Sequence, residues 1–484
     1  MDAQRTLTLI DELLQQPAES GWVEFKENDS NPEAIGKYIS ALANSARLAD
    51  KPFAYLLWGI RDGDRSVVGT HFEPTAQRHK GQPLELWLAQ FLQPAIHCTF
   101  QTVDYRGVRL VMLEIPAATH SQVEFNQLAY IRVGSATPKL SDHPEKLQAL
   151  WRKLQPYRWE SGVAASFVSG DDVLARLDYA SYFSLTDQRL PDNRAGIFEK
   201  LQADRIIGRD VGERWNITNL GAILFARQLS DFDMPVARKA IRFVAYDGTG
   251  RTSTITHRLE SQKGYANAFP ELIDHIHALI GAPETISKAL RKVQTTYPSL
   301  AIRELVANAL IHQDMSVSGT GPLIELFRDR MEITNPGVPL IQPERFLDYP
   351  PQSRNEALAA LMRRMSYCEE QGTGIDKVIH EVERYRLPPP DFQQREHAMR
   401  VVLYAPRRFA DMTPQERVRA CYQHAAFMHV NGERMKNASL RERLGIEARN
   451  AAQASTVISQ ALKEELIRPA DPEHPRIGYL PYWA

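Results

Sequence analysis

Residues 301–312 constrain the fold of this chain more than any other stretch, because apolar and polar side chains recur there with the period of a helix. The apolar positions predict a helix with one side packed on a core: Ile302, Leu305, Val306 and Ala309. Glu304 and Asn308 lie four residues apart on the opposite side, so their side chains can converge on one ligand. Carboxylate and amide oxygens suit Mg²⁺, and a nearby glutamate can act as a base toward water. From this helix alone, the simpler interpretation is an amphipathic helix with two solvated polar residues. The segments that follow in the chain decide between this interpretation and a ligand site.

The composition excludes several classes of protein. The 484 residues suffice for about three domains, and the 43% hydrophobic content is typical of globular folding. The formal net charge is −1, so any surface for nucleic acid must be local. Cys98, Cys368 and Cys421 are far apart and fit neither a disulfide framework nor a zinc cluster, which favours a reducing compartment. We find no secretory signal and no apolar run near the ~18 residues of a membrane span, so we expect a cytoplasmic protein without a membrane partner.

The N-terminal segment, residues 1–150, predicts an α+β domain with a mixed sheet. A short alternating stretch predicts a strand that points Glu24 and Lys26 to one face. A helix follows, and then a continuous apolar run at residues 53–60 has the length of a strand and ends in a turn containing Asp62. Further strands are expected at residues 98–103, 108–115 and 129–133.

Over most of residues 15–140 the sequence resembles the Schlafen-type AlbA-like domain, also called a divergent AAA domain. The resemblance lies in the order and spacing of short motifs: Glu19-Ser20, Val23-Glu-Phe-Lys26, Ala43-Asn-Ser45, Gly59-Ile-Arg-Asp62-Gly63 and Tyr130-Ile-Arg-Val-Gly-Ser135. In nuclease members of that family three acids form a metal-dependent RNA-cleaving site, and they match Glu19, Glu24 and Asp62 here. The resemblance implies that these carboxylates hold Mg²⁺ or Mn²⁺, which would activate water and stabilise a pentavalent phosphate.

Two alternatives remain open for these acids. Many relatives with this domain are described as DNA-binding regulators, so the domain would bind nucleic acid without cutting it. In a purely structural interpretation Glu19 caps a turn, Glu24 and Lys26 form an exposed cross-strand pair, and Asp62 closes a β-turn.

The middle segment, residues 151–290, predicts a scaffold and no catalytic site. Residues 151–170 are polar, aromatic and Pro-containing, which is typical of a linker between domains. A small helical or winged-helix-like part would follow, built from helices at 171–182 and 194–201, an apolar helix after Thr218 or Asn219, a strand at 240–246 and a helix at 269–281. No Walker pattern occurs anywhere in the chain.

Residues 291–405 place a glycine-rich turn after the helix that carries Glu304. Two strand patterns, 323–327 and 331–337, precede a helix that opens at residues 353–356. The turn Gln371-Gly-Thr-Gly374 then begins another helix, and free backbone N–H groups at such a helix start favour phosphate.

The ordered set resembles the GHKL (Bergerat) ATPase fold, an α/β sandwich, and in particular the RecG-related branch that is fused to Schlafen-like domains. It consists of Arg303-Glu304, Asn308-Ala309, His312-Gln-Asp314, Asn335-Pro-Gly337, Arg354-Asn355 and Gly372-Thr-Gly374. The resemblance implies ATP as cofactor, with Glu304 acting on the attacking water and Asn308 binding Mg²⁺. It also implies contacts to the nucleotide from His312, Asn335, Gly337, Arg354, Gly372, Thr373 and Gly374.

Two departures from the GHKL pattern affect these expectations. Asn335 stands where typical members have an aspartate that accepts from the adenine amino group, and a neutral amide accepts a weaker hydrogen bond than a carboxylate does. The nucleotide lid has one glycine pair here, whereas fuller GHKL motifs have more. Binding of ATP is therefore better supported than its hydrolysis. Without a P-loop, the helicase implied by the RecG-related name is rejected.

The C-terminal segment, residues 406–484, predicts a winged helix-turn-helix. Twelve Lys and Arg stand against nine acids, and helices are expected at 414–429, 439–444 and 451–465 before a two-stranded wing. Ser439 begins a capping-box pattern with Glu442. The polar face of the last helix suits base edges and phosphates: Arg449, Asn450, Gln453, Ser455, Thr456, Ser459 and Lys463. A packing or dimerisation module is the alternative.

These segments predict an ATP-binding, nucleic-acid-associated protein. In the first hypothesis a GHKL ATPase site, within a homodimer or higher homo-oligomer, controls a Schlafen-like domain that binds DNA or RNA or cuts it with a metal ion. The alternative is an ATP-sensing, DNA-binding transcription regulator without nuclease activity, and a third is a scaffold whose sites have decayed. A role in antiviral defence is compatible by analogy only.

Overall fold

The computed structural model describes residues 3–16, 20–61, 63–96, 99–154, 158–280, 297–350, 352–368, 373–474 and 477–484. The chain divides into two units, each with its own sheet: Met1–Val173 with Ile207–Thr218, and Leu174–Ile206 with Asn219–Ala484. Within the described ranges, no helix is both long and apolar enough to cross a bilayer.

The first unit has an α+β architecture. Its elements are, in chain order, α1 (Ala3–Leu14), β1 (Val23–Lys26), α2 (Pro32–Leu48), β2 (Phe53–Trp58), β3 (Arg78–His79), β4 (Gln82–Pro83), α3 (Leu84–Phe91), β5 (Leu92–Gln93), β6 (Thr99–Tyr105), β7 (Val108–Pro116), β8 (Glu124–Phe125), β9 (Leu128–Ala129), α4 (Pro144–Leu154), β10 (Val163–Val168), β11 (Ile207–Arg209) and β12 (Trp215–Thr218). The main sheet has the order β1-β2-β7-β6, with β1 parallel to β2 and the other pairs antiparallel. The predicted mixed sheet is therefore confirmed.

Helix α2 connects the two parallel strands and carries much of the core of this unit. Asn31 caps it by accepting hydrogen bonds from the backbone N–H groups of Glu33 and Ala34, and Pro32 occupies the first helical position. Ile35, Ile39 and the rest of its inner side are fully buried against the sheet side chains.

Two predictions for the first unit are wrong. The segment 151–170 is not an irregular linker, because it contains the end of α4 and β10, and β10 pairs antiparallel with β12. Its aromatic residue Phe167 is 2% exposed and belongs to the core. The strand expected at 129–133 is reduced to the end of β9 and two isolated bridges, Tyr130–Lys139 and Val133–Ala136.

The second unit is built around a six-stranded sheet. Its elements are α5 (Gly170–Arg176, which begins in the first unit), α6 (Tyr179–Leu185), α7 (Arg194–Ala203), α8 (Asn219–Phe225), α9 (Met234–Ala237), β13 (Arg242–Tyr246), β14 (Ile255–Glu260), α10 (Tyr265–Ile280), α11 (Ser299–His312), β15 (Leu323–Leu326), β16 (Arg330–Pro336), α12 (Glu356–Arg364), α13 (Gly374–Arg384), β17 (Asp391–Gln394), β18 (Ala398–Tyr404), α14 (Pro414–Val430), α15 (Asn437–Leu444), α16 (Ala451–Lys463), β19 (Ile467–Pro469) and β20 (Tyr479–Pro481). The order is β14-β13-β15-β16-β18-β17, and only β13 and β15 are parallel. Helix α11 packs against β16 and α13.

The helices predicted in this unit are largely found. Helix α10 begins at Tyr265, four residues before the predicted start, and contains Pro270; Gly281, its predicted end, lies outside the described residues. The C-terminal helices α14 to α16 enclose a core with Met435, Leu440 and Ile458, and β19 pairs antiparallel with β20. Ser439 does not cap as predicted: α15 begins two residues earlier, and the Ser439 hydroxyl accepts from the Lys436 N–H at 3.0 Å.

Candidate functional site

Helix α11 is buried on almost every side, which decides between the two interpretations of its polar residues. Glu304 is 6% exposed although it lies opposite the predicted core side, and Asn308 is half-buried. The prediction of two solvated polar residues is therefore wrong. A buried carboxylate must have its charge compensated, which distinguishes Glu304 from a solvated surface residue.

The start of α13 lies directly on this pair. A Cβ added to Gly374 would come 2.6 Å from Glu304 Oε2 and 3.9 Å from Asn308 Nδ2. Only glycine leaves this space at the carboxylate, and the N-terminus of α13 favours negative charge there. Thr373 precedes it and is half-buried, while Gly372 lies outside the described residues.

A cavity of about 740 Å³ adjoins the pair. One part of its lining is polar: Glu304, Asn308, His312, Asn335, Gln352, Ser353, Glu356 and Arg363. The other part is apolar and aromatic, and its main members are Phe346, Tyr349, Ile375, Phe392, Met399 and Val401. The volume falls in the range of about 300–1,000 Å³ that is usual for small-molecule sites, and the lining offers polar and flat apolar contacts to one ligand.

His312 closes α11 and lines the same cavity. Burial lowers the pKa of its imidazole to about 4, and the Arg354 guanidinium contributes to the shift. His312 is therefore neutral at pH 7 and can contact a phosphate only by hydrogen bonding. Arg354 itself does not line the cavity, because its Nη2 donates to the Val338 carbonyl at 2.6 Å and its Nη1 lies 3.6 Å from Asp314 Oδ2.

Asn335 and Gly337 lie at the end of β16 and also line the cavity. Asn335 is 5% exposed, and its Nδ2 donates to the Pro336 carbonyl at 3.3 Å, so its amide oxygen remains to accept from a ligand. Gly337 has a φ of +96°, and a Cβ there would come 2.6 Å from the Cβ of Asp314. A glycine is thus required at 337 by the packing of the chain, whether or not a base approaches it.

The apolar wall of the cavity was missed by the sequence analysis. Met399 pairs with Asn335 and Val401 with Ile333 across β16 and β18, so every second residue of β18 faces the side of the sheet on which Asn335 lies. The alternation of β18 was available in the sequence, but its register against β16 was not.

Among the three acids predicted in the first unit, only Glu24 lies in the described part of the chain; Glu19 and Asp62 lie outside it. Glu24 is 5% exposed on β1, one carboxylate oxygen lies 2.6 Å from Lys26 Nζ, and the other contacts Arg132 Nη2. The prediction of an exposed cross-strand pair between Glu24 and Lys26 is therefore wrong, since Glu24 is buried and Lys26 lies on the same strand, β1.

Arg132 is the residue of this cluster that sequence reasoning missed. Its Nη1 donates to the Ser135 carbonyl at 2.9 Å and to Thr137 Oγ1 at 2.8 Å, and its backbone N–H donates to Ser45 Oγ at 3.0 Å. The motifs around Ser45 and Arg132 are therefore parts of one ion-pair cluster around Glu24. Within the described ranges, no three His, Cys, Asp or Glu side chains are grouped closely enough to hold a metal ion.

The polar face predicted for α16 is exposed, as expected. All of its residues lie at the surface, and the apolar residues Val457 and Ile458 are buried on the inner side. Arg449 lies 2.6 Å from Glu447, so part of its charge is compensated within the same segment.

Comparison with family models supports the architecture suggested by the sequence. Residues 19–141 match the model "Schlafen, AlbA_2", and residues 319–403 match the model "Putative ATP-dependent DNA helicase recG C-terminal". Both resemblances are confirmed over these residues. The second match includes Asn335, Gly337 and Gly374 but begins after α11, so the assignment of Glu304 and Asn308 rests on the cavity geometry.

Two further comparisons add little. Comparison with curated proteins gives no match. The crystal structure of the DIP2311 protein from Corynebacterium diphtheriae aligns with 99% of this chain and 97% of its own, at 17% identity and a TM-score of 0.42.

Proposed function

We propose that this chain, which joins a Schlafen AlbA_2 segment to a recG C-terminal segment, binds Mg·ATP in the cavity of its second unit and uses it to control an association with nucleic acid. One observation carries the proposal: residues predicted from separate motifs line one cavity together with apolar and aromatic side chains. Glu304 and Asn308 come from α11, Asn335 from β16 and Gly374 from α13.

The residues around Glu304 fit a magnesium ion beside a catalytic carboxylate. The Asn308 amide oxygen is a hard donor for Mg²⁺ one helical turn from Glu304, and the missing Cβ of Gly374 leaves room at Glu304 Oε2. Bound there, Mg²⁺ would neutralise phosphate charge and stabilise the charge that develops during hydrolysis.

The chain's own groups have separate tasks in this proposal. Glu304 orients or deprotonates the attacking water, and neutral His312 donates a hydrogen bond to a phosphate oxygen. Asn335 accepts from the amino group of the base, whose flat face packs against the apolar wall at Phe392 and Met399. Thr373 and Gly374, at the start of α13, offer backbone N–H groups to phosphate.

Asn308→Ala tests the nucleotide site directly. Removing the amide oxygen should abolish Mg·ATP binding measured by calorimetry, while adenosine binding is retained because the wall for the base is untouched. Ser299→Ala is the matched control, since Ser299 is exposed on the same helix and does not line the cavity. Unchanged Mg·ATP affinity in Asn308→Ala would contradict the assignment.

For the first unit, the observed ion pairs favour binding of nucleic acid over cutting. Both oxygens of Glu24 are engaged by the cations of Lys26 and Arg132, and a carboxylate in that position organises basic groups for phosphate contacts. In the second candidate function Glu24 exchanges these partners for Mg²⁺ or Mn²⁺ shared with Glu19 and Asp62, and the domain is a nuclease.

Labelled tRNA or single-stranded DNA, incubated with ATP and either metal ion, separates the two candidates. Cleavage that is lost in Glu24→Gln and kept in Glu304→Gln would establish a nuclease centre in the first unit. Salt-sensitive binding without cleavage would establish a binding module, and with the exposed face of α16 it would favour the ATP-sensing transcription regulator.

A further inference from the structure

The charge of the cavity lining leaves one cation to meet an anionic ligand. The described acidic and basic residues that line it are Glu304, Glu356, His312 and Arg363. Because the pKa of His312 is lowered to about 4, its imidazole carries no charge at pH 7. Among these lining residues, only Arg363 therefore offers a full positive charge.

Arg363 differs from its neighbours in that no described residue pairs with its guanidinium. Arg364 lies 2.5 Å from Asp204, Arg354 bonds the Val338 carbonyl, and Arg345 pairs with Asp348. No ion pair or side-chain hydrogen bond joins Arg363 to any other described residue, although it is half-buried at the cavity. A planar fork of donors held at a cavity and left unpaired is suited to two oxygens of one phosphate.

The fold ties the end of α12, where Arg363 lies, to helix α11. Arg363 lies near the end of α12, and the carbonyl of Ser366, three residues later, accepts from Arg303 Nη2 at 3.0 Å. Arg303 is the residue before Glu304. The end of α12 is thus tied to the turn of α11 that carries the proposed base.

The other end of α12 is fixed to the same helix. Asn355, which precedes α12, is 5% exposed, and its Nδ2 donates to the carbonyls of Ile311 and Gln313 at 2.8 Å each. Both ends of α12 are therefore anchored to α11 or to the residue that follows it, and Arg363 is part of a preorganised frame.

We infer that Arg363 is a specificity-determining residue that binds the terminal phosphate of the nucleotide and so selects a triphosphate. The inference rests on the proposed nucleotide site and adds to it the contact that distinguishes ATP from AMP. Glu304 acts on the water that attacks the terminal phosphate, and Arg363 lines the same cavity on a helix anchored to α11, so its guanidinium is placed to meet the same phosphate.

The test compares ATP, ADP and AMP affinities, measured by calorimetry with Mg²⁺, in the full chain and in Arg363→Ala. A charge-assisted hydrogen-bond pair is worth about 1.5–3 kcal/mol, so ATP affinity should fall about 10- to 100-fold. AMP affinity should change less than about twofold, since AMP lacks the terminal phosphate. Arg363→Lys should keep part of the ATP affinity, because it retains the charge without the fork.

Two controls separate this role from a structural one. Arg384→Ala removes an exposed arginine outside the cavity lining and should leave all three affinities unchanged. Arg364→Ala breaks the pair with Asp204 and should lower the melting temperature without changing the ratio of ATP to AMP affinity.

Each remaining outcome is decisive. Equal loss of ATP and AMP affinity in Arg363→Ala, or no loss while the wild-type chain binds ATP, would refute the role of Arg363 and leave the nucleotide site standing. A wild-type chain that binds none of the three nucleotides would overturn both the proposed function and this inference.

Discussion

Gly374→Ala should separate the chemistry of the cavity from the stability of the fold. The new methyl group would lie 2.6 Å from Glu304 Oε2, against at least 3.4 Å for an ordinary contact, so the carboxylate oxygen must move by about 0.8 Å. That oxygen is the far end of a rotatable side chain, so the fold accommodates the change at small cost. Alanine is also a better helix former than glycine by up to ~1 kcal/mol.

The functional cost should be much larger. A misplacement near 1 Å of a group that positions or activates the attacking water can lower the rate about 100-fold. Asn308 Nδ2 would be 3.9 Å from the added methyl group, which is an ordinary contact, so the Asn308 side chain keeps its place. We therefore expect kcat for ATP hydrolysis to fall about 100-fold with little change in KM.

A phosphate-release assay and a thermal melt on the same preparations provide the measurement. Gly208→Ala is the control, because a Cβ at Gly208 meets nothing within 4 Å and the residue lies in the other unit. Wild-type turnover in Gly374→Ala would refute the placement of Glu304 at the reaction centre. A melting temperature lowered by more than a few degrees would instead show that the glycine is needed for folding.

Two further predictions concern charge. Arg132→Met leaves buried Glu24 with Lys26 as its remaining described partner and should lower the free energy of unfolding by about 3 kcal/mol. Arg106→Ala, the control, removes an exposed ion pair and should lower it by less than about 1 kcal/mol. Equal losses in denaturant titrations would contradict the buried cluster. Burial lowers the pKa of His312 from 6.5 to about 4, so the unfolded state takes up a proton at a higher pH than the folded state does. The free energy of unfolding should therefore fall by up to about 3 kcal/mol as the pH falls from 6.5 toward 4. His312→Gln should remove this part of the pH dependence, and identical profiles of unfolding free energy against pH in the two chains would refute it.

Local patterns in the sequence predicted the parts of the site that depend on local structure. The spacing of Glu304 and Asn308 was enough to place both on one side of α11, because a helix turns once in about 3.6 residues. The burial of Glu304 could not be predicted, since the residue that covers it, Gly374, lies seventy positions later in the chain. The Gly-Thr-Gly pattern indicated an anion site but not which side chains it would face.

The missed elements share the same physical cause. β10 was included in a predicted linker because polar and Pro-containing residues precede it, and its place in a sheet depends on pairing with β12 about fifty residues away. The cavity wall at Met399 and Val401 depends on strand register, which one sequence does not specify. The prediction that Ser439 caps α15 failed for a different reason. Ser439 lies inside the first turn of α15, and its hydroxyl accepts a hydrogen bond from the backbone N–H of Lys436. The pattern thus marked the start of a helix but placed that start two residues too late.

The C-terminal helices pack against residues that line the cavity, which limits how the two parts can be tested separately. The Tyr422 hydroxyl of α14 bonds the Glu344 carbonyl, and Trp483 Nε1 donates to the same hydroxyl at 3.0 Å. The Arg345 guanidinium lies 5.0 Å from the centre of the Trp483 ring, two residues before buried Leu347.

The same segment forms one side of the cavity. Phe346 lines it, and so do Ile375 and Phe392, which pack with Trp483 on the core formed by Leu347 and two other residues, Ile379 and Ala426. Removal of residues 406–484 would therefore expose the back of the cavity wall and weaken nucleotide binding as well as any contact to DNA. Substitutions of exposed residues on α16, such as Gln453→Ala with Lys463→Ala, leave this core intact. If they abolish duplex binding at unchanged ATP affinity, DNA recognition belongs to α16; if duplex binding persists, it belongs elsewhere in the chain.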